Sequence, residues 1–530
     1  MNSKQNSKTG YGKSERGHVI DIVSFIYIAY MFSIYLMHFN DKYFDITHTR
    51  AKVFIYGTLG FIAFMCAAYL LEIYMIAYFD KKASVGEFLK AGEKRILALP
   101  EISIILFFFA NLAAFFNAPD KAGAWTGDTG RYFGLGIVTV ITAMFLLLAR
   151  RCNLSAIHFY IFAAISGLAC IMACQQHFGL DPFELRVDII EKQKELFVSL
   201  FGNLNTYGSF LAMALPGIAA VFIFAEKNMN RLIAGVSLFI TAMGIIPAKS
   251  DNVYLGAGFA MLVILYLSIY YRKTFWFAAS AVIIFTGLFA MACMNYRLGG
   301  SRKHINGLAV IIENPKIMII LLAVSIAAAI GVYCIGEKAG RKLNEKDLKR
   351  ILLIMTFVIA SLGIIVCYIG VKKHISFFVF NDKWGTFRGY IWRRSVSLFE
   401  MASPRQKIFG YGNETIKQLM TSNFNEEMVR ITNKTYDNCH NELLQYLVTT
   451  GLFGMISYSM LFISGVVYMI KNCKGNCAAI AILGSFTGYA VQGTVYLNQP
   501  ITTPLYFVLM AAGIGFVRRN RIQEVYCPKN

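Results

Sequence analysis

The sequence predicts an all-α polytopic membrane protein with about 14 (12–14) transmembrane helices and a large, mainly helical extracytoplasmic loop. Apolar runs of about 18 to 25 residues, long enough to cross a bilayer as helix, recur along the chain. Composition agrees: 57% of the 530 residues are hydrophobic and only 15% are charged, with a positive mean hydropathy. The third observation is a contrast. Residues 383–454 form the one long polar, charge-bearing interruption, with Arg388, Arg393 and Arg394 near its start and His440 near its end.

A net charge of +21 would suit nucleic acid only if the lysines and arginines gathered on one soluble face. They sit between spanning-length apolar runs instead, where they set topology, so no nucleic-acid partner is expected. The cysteines lie mostly inside apolar runs (Cys66, Cys170, Cys174, Cys334) or in short basic loops (Cys152, Cys473, Cys477) and predict neither a disulfide framework nor a metal site. Cys170 and Cys174 share a helix face, but with no His or carboxylate beside them they read as packing.

In chain order, residues 1–18 are polar and basic, and the run at 19–39 lacks a small-residue cleavage site, so it reads as an uncleaved first helix. Further runs lie near 53–79, 96–117, 132–149, 156–176, 204–225, 232–248, 253–271, 274–294, 316–336 and 351–370, then 442–470, 478–496 and 503–517. This divides the chain into a membrane domain at 1–370 with about eleven transmembrane helices, a large loop at 371–441 that carries an interfacial amphipathic helix, and C-terminal membrane helices at 442–530. The short loops at 80–95, 150–155, 226–231, 272–273, 337–350 and 471–477 are mostly basic, which assigns them and both termini to the cytoplasm. Segment 371–441 carries 11 Lys and Arg, but a segment that long crosses largely regardless of charge, so it is expected outside. Asp21, Glu72 and Glu101 fall within helices.

Loops on that outer side are expected to contribute to a site. Loop 177–203 is acidic and predicts a surface helix over 187–200. Loop 295–315, NYRLGGSRKHINGLAVIIENP, is basic against the topological trend, so Arg297, Arg302 or Lys303 is expected to meet an anion, either a substrate phosphate or a lipid headgroup. FGNLNTYGSFLAM, at 201–213, places Asn203, Asn205 and Tyr207 at a helix start facing the same interface, and AKSDNVYLG, at 248–256, is a second polar turn. Helix capping accounts for both equally well.

Within the polar segment, Thr386 to Ser403 fits an amphipathic helix. Phe387, Ile391 and Leu398 form a stripe, Trp392 and Phe399 widen it, and Pro404 ends it. Such a helix is expected to lie on the membrane with its stripe down and its arginines at headgroup level. Arg388 lies about 100° from Phe387, at the stripe's edge, where a lipid-borne phosphate would sit. A guanidinium suits that ligand because its planar fork makes two charge-assisted hydrogen bonds and keeps its charge. Arg393 and Arg394 could bind phosphate likewise or simply reach anionic lipid headgroups.

Downstream, FGYGNET at 409–415 has two glycines that permit a left-handed turn. With no preceding strand and no Lys-Ser/Thr pair, it is no nucleotide-binding loop. Asp437 or Asn438 is a natural N-cap that would place His440 in the first turn of the next helix. There the helix dipole disfavours imidazolium and leaves a ring able to accept a proton, although Asp437 pulls the other way. Gly451 and Gly454 would allow close helix approach below. Cys439 would point about 100° away from His440, against a Cys–His nucleophile.

The run CHNELLQYLVTTGLFG resembles the His-Asn/Ser-x-x-Leu…Gly-x-x-Gly signature of the O-antigen ligase and polysaccharide polymerase superfamily. FGNLNTYGSFLAM is similar to its Gly-Asn-x-Asn helix start, FRGYIWRRSVSLF to its arginine-bearing outer helix and KIFGYGNET to its Gly-x-Gly turn, all in the family's order. The resemblance implies a bacterial inner-membrane enzyme that transfers a glycan from an undecaprenyl-diphosphate-linked donor to a hydroxyl of a glycan, lipid or protein acceptor, without metal or other cofactor and with inversion. It implies that Arg388 is the essential outer-loop arginine and His440 the essential histidine. Where the family often has Ser-Arg-Gly, this chain reads KSDN, and Lys249 is the cation that stands there. Arg302, Arg297, Lys249, Arg393, Arg394, Asn203 and Asn205 are the candidate diphosphate or glycan contacts. The alternative reading is a transporter or flippase for a lipid-linked glycan, for which Glu72 and Glu101 are the candidate intramembrane groups.

Overall fold

The computed structural model describes residues 18–79, 97–128, 131–300, 307–339, 344–375 and 378–526. All regular structure among them is helical, and eleven helices are long and apolar enough to cross a membrane. Each apolar run read from the sequence is helix, so the chain is a polytopic membrane protein. Runs that fall outside the eleven have local reasons. Leu135–Leu148 and Cys477–Gly493 are only 14 and 17 residues long, and Thr503–Tyr526 carries Arg518 and Arg519 in its second half.

At the centre stands Leu204–Phe224, buried along nearly its whole length. It packs against Asn228–Met243, Asp251–Tyr270 and Cys477–Gly493. Small residues let these helices approach closely: a Cβ on Gly488 would strike the Ala212 carbonyl, and one on Gly217 the Ser485 hydroxyl. At the other extreme, Glu345–Lys372 is exposed along most of its length, and the helix touches the bundle along Asp251–Tyr270, where Tyr266 and Thr356 share a 2.7 Å hydrogen bond.

Two of the acidic residues within helices sit at the bundle end opposite the polar segment and are paired. Asp21 takes Arg151 at 2.7 Å and Arg519 at 3.0 Å, and Glu101 takes Arg518 at 2.6 Å. Pairing offsets the desolvation of these buried carboxylates, and it occupies Glu101 in a structural contact.

Loop 177–203 departs from expectation. No α-helix forms over 187–200, only a 3-10 turn at Lys194–Leu196. Val187 and Ile190 are exposed, while Ile189, Val198 and Leu200 are buried, a spacing that is not one helical stripe. Polar bonds pin it instead: the Ser199 peptide N–H donates to Gln176 Oε1 at 2.6 Å, Tyr43 donates to the Ser199 carbonyl, and the Arg186 guanidinium donates to the Gln176 carbonyl.

The polar segment folds as Trp384–Met401, Pro404–Phe409, Ile416–Thr432 and Glu442–Thr449. Gly385, Thr386 and Phe387 have φ of 57°, 59° and 71°, so regular helix starts at Arg388. Its apolar face does not lie open for a membrane. Tyr390, Ile391 and Leu398 are buried against Ile416, Met420, Met428, Cys439 and Val448, because Ile416–Thr432 offers a matching apolar face and protein covers the stripe. Ser403 and Gln406 form a capping box that starts the next short helix.

The glycine turn then docks onto the end of Glu442–Thr449. Gly410 (φ 76°) and Gly412 (φ 124°) let the Tyr411 and Gly412 peptide N–H groups donate to the Val448 and Thr449 carbonyls, both at 3.0 Å. These are last-turn acceptors that have no partner within their own helix. A Cβ at Gly410 would run into the Thr449 carbonyl. Gly451, at φ 70°, breaks the expected run 442–470 into Glu442–Thr449 and Gly451–Asn472 and lies against the Ile408 carbonyl, whereas Gly454 faces Thr450 of its own helix. Close approach is therefore between turn and helix break.

Candidate active site

His440 lies outside the helix that was expected to hold it. The N-cap is Asn441, whose Oδ1 accepts from the Leu443 and Leu444 peptide N–H groups at 2.9 and 3.1 Å. His440 precedes that cap with φ 46°, and Asn438 Oδ1 accepts its N–H at 2.9 Å in a side-chain turn. The cap moves along the chain because Asp437 is committed elsewhere, to Arg131. The ring's Nδ1 is buried and has no hydrogen-bond partner among the described residues. Burial, with the charges of Arg388 and Arg131 added, pushes the imidazole down to about 3, and Asp437 opposes them only weakly. His440 is thus a neutral base near pH 7, from desolvation and two cations rather than from a position inside the helix. Cys439 points the other way, into the loop core, where its Sγ accepts from Ser395 Oγ at 3.2 Å and burial pushes the thiol up to about 12.

Arg388 opens the regular helix and directs its charge at His440 and Tyr496. Burial lowers its pKa, and the neighbouring Tyr496 and Asp251 oppose that. It has no hydrogen bond or ion pair among the described residues. Arg393, in contrast, pairs with Asp382, and Arg394 pairs with Glu427 while lying over the Tyr390 and Phe424 rings at 5.6 and 5.2 Å. A partly buried cation with no ion-pair partner is costly, and an incoming anion would relieve it. Asp251 also accepts the Leu308 peptide N–H at 3.0 Å, tying the end of loop 295–315 close to Arg388.

Three further groups belong to this cluster and were missed in the sequence. Tyr496, in the turn after Cys477–Gly493, sets its ring 6.4 Å from His440, and its hydroxyl meets Thr206 Oγ1 at 2.9 Å and Asn203 Oδ1 at 3.5 Å. Burial raises its pKa against the pull of Arg131 and Arg388. Arg131 arrives from GDTGRYFG, at 127–134: its Nε is 3.0 Å from Asp437 Oδ2, and its peptide N–H donates to Glu414 at 3.1 Å. Glu414 follows the glycine turn. Burial first, and Asp437 with it, push its carboxyl up to about 7 against the Arg131 N–H and charge. A lone arginine between glycines and a tyrosine in a turn have no periodicity to betray them, and only the fold brings them to His440.

The other sequence candidates separate. Asn203 is the N-cap of Leu204–Phe224, with its Oδ1 taking the Asn205 N–H at 2.9 Å, and it also reaches Tyr496. Asn205 accepts from Ser250 Oγ at 2.6 Å, joining the two polar turns. Lys249 is turned to Glu195 at 3.6 Å with a side chain only 2% exposed. Arg297 is exposed in the last turn of Thr274–Leu298. Arg302 and Lys303 lie outside the described residues.

A neutral imidazole with a free ring nitrogen beside an unpaired guanidinium can take a proton from a hydroxyl while an anion forms nearby. Residues 305–459 match the family model described as O-antigen ligase. The match is consistent with the O-antigen ligase superfamily. The matched O-antigen ligase segment runs from loop 295–315 through Arg388, the glycine turn and His440 into Gly451–Asn472. No curated protein matches the chain. The match supports a membrane glycan-processing role of the ligase or polymerase kind, which would call for a lipid-linked glycan donor and a glycan acceptor.

Proposed function

We propose that the chain is a glycosyltransferase that moves an undecaprenyl-diphosphate-linked oligo- or polysaccharide onto an acceptor hydroxyl at the extracytoplasmic face of a bacterial plasma membrane, with both termini in the cytoplasm. The observation that carries this reading is the unpaired Arg388 guanidinium whose charge bears on a neutral His440 with an unbonded Nδ1. The acceptor oxygen loses its proton to His440 and forms the new bond to the anomeric carbon while the bond to the diphosphate breaks. The lipid diphosphate departs with its electron pair, its growing charge held by Arg388, and direct displacement inverts the anomeric centre. The guanidinium fork takes the charge-holding role without a metal. The basic short loops support the orientation.

Full-length protein reconstituted with a glycan-bearing undecaprenyl diphosphate is expected to release undecaprenyl diphosphate and form a glycosidic bond in the presence of EDTA. A product extended by the repeat unit itself marks a polymerase, and a glycan on a different acceptor marks a ligase. Movement of intact lipid-linked glycan across the bilayer with no new bond would overturn the transferase reading.

The site's electrostatics predict a pH signature. In the free enzyme burial and two cations hold His440 near 3. A bound diphosphate offsets those cations and raises the ring's pKa, since opposite charge favours the protonated form. A base must be neutral, so activity falls as pH drops through that value. The acid limb of kcat, which reports the donor-bound enzyme, is expected at higher pH than that of kcat/KM for the donor. Limbs that coincide would remove the donor's effect on the base.

A further inference from the structure

We infer that Arg131 is a second phosphate-binding residue, holding one phosphoryl group of the donor diphosphate while Arg388 holds the other. The inference rests on the transferase reading and adds a group from the other end of the chain to its site. Asp437 grips one edge of the Arg131 guanidinium, with Nε 3.0 Å from Oδ2 and an Nη2 hydrogen bond of 3.3 Å to Oδ1. The opposite edge, Nη1 with the second N–H of Nη2, has no partner among the described residues. Burial divides the group the same way. Nε is buried beside Asp437 in ion-pair contact but without a hydrogen bond of its own, yet the side chain as a whole is 39% exposed, so the exposure lies on the edge away from Asp437.

Geometry ties that guanidinium to the base: Asp437, which it contacts, joins His440 through Asn438, whose Nδ2 donates to Asp437 Oδ1 and whose Oδ1 accepts the His440 N–H. Tyr496 sets its ring 6.4 Å from His440, and the charges of both guanidiniums act on this pair, which places both cations near the same two side chains. The backbone holds Arg131 there independently of its side chain, through the N–H bond to half-buried Glu414 on the glycine turn. A diphosphate offers two phosphoryl groups and a single fork covers one. Two forks near the same two side chains fit the pair. Lys249, at the turn where the family often has arginine, is engaged with Glu195, which leaves Arg131 as the described guanidinium besides Arg388 that reaches His440.

The test measures binding of farnesyl diphosphate and farnesyl monophosphate to detergent-purified full-length protein by microscale thermophoresis. The natural sequence is expected to prefer the diphosphate by at least about tenfold, the worth of one charge-assisted fork. Arg131→Gln and Arg131→Lys are each expected to lose that preference while keeping monophosphate affinity, and Arg388→Gln to weaken both ligands. A merely structural Arg131 gives a different pattern: both ligands weaken together in Arg131→Gln, and Arg131→Lys, which can still meet Asp437, recovers both. That pattern, or an unchanged diphosphate preference in the variants, would overturn the inference. Failure of the unaltered protein to bind either prenyl phosphate would instead count against the transferase reading itself.

Discussion

Replacing His440 with asparagine is expected to leave a folded, membrane-inserted protein whose glycan transfer is slowed about 10²- to 10⁴-fold, the usual worth of a positioned general base. Asparagine is the cleaner variant because His440 has φ 46°, a left-handed conformation that asparagine tolerates better than most residues. It removes the proton acceptor at little backbone cost, whereas His440→Ala removes ring and conformational preference together. The check is transfer rate alongside donor affinity and thermal melting. An intact donor affinity with a collapsed rate is the expected pair, since the proposed role of the imidazole is on the acceptor's proton. A His440→Asn enzyme that transfers glycan at the normal rate would exclude the imidazole as base.

Arg388→Lys is expected to cost about 10²- to 10³-fold in kcat, comparable with the loss of one preorganised donor to a developing anion. Lysine keeps the charge but replaces a planar fork with a point charge on a flexible stem. The site cannot re-aim it easily: Gly385, Thr386 and Phe387 turn left-handed just before Arg388, and the helix it opens is locked into the loop core by Tyr390, Ile391 and Leu398. If charge alone mattered, Arg388→Lys would match the natural protein and only Arg388→Gln would fail. Equal activity of the lysine variant therefore rejects the bidentate role. Arg393→Lys serves as the comparison, because that side chain is already paired with Asp382 inside the loop and the change should have little effect on transfer.

The candidate site was legible in part, and particular residues show why. Arg388 stood out because it falls at the edge of a helical stripe, and position relative to a stripe is a local property. His440 stood out because polar capping residues precede an apolar helix there. The exact cap was misjudged by a few residues: Asp437, Asn438 and Asn441 are all capping types, and the choice among them turned on Arg131, which lies 306 positions from Asp437 in the chain. The same distance hid Arg131 itself. The helix expected on the membrane surface failed for a related reason, because an apolar stripe records what must leave water and not whether lipid or protein will cover it.

By itself the sequence determined the spanning helices, the one polar segment and its glycine turn, and the two residues that anchor the proposed chemistry. Each follows from short-range regularities of run length, periodicity and turn chemistry. Tertiary structure alone decided which cations stay unpaired, that Glu414 and Asp437 tether Arg131 beside His440, and that Tyr496 faces the ring. Those outcomes depend on burial and on partners far apart in the chain, and desolvation and pairing are properties of a neighbourhood that exists only after the helices have packed.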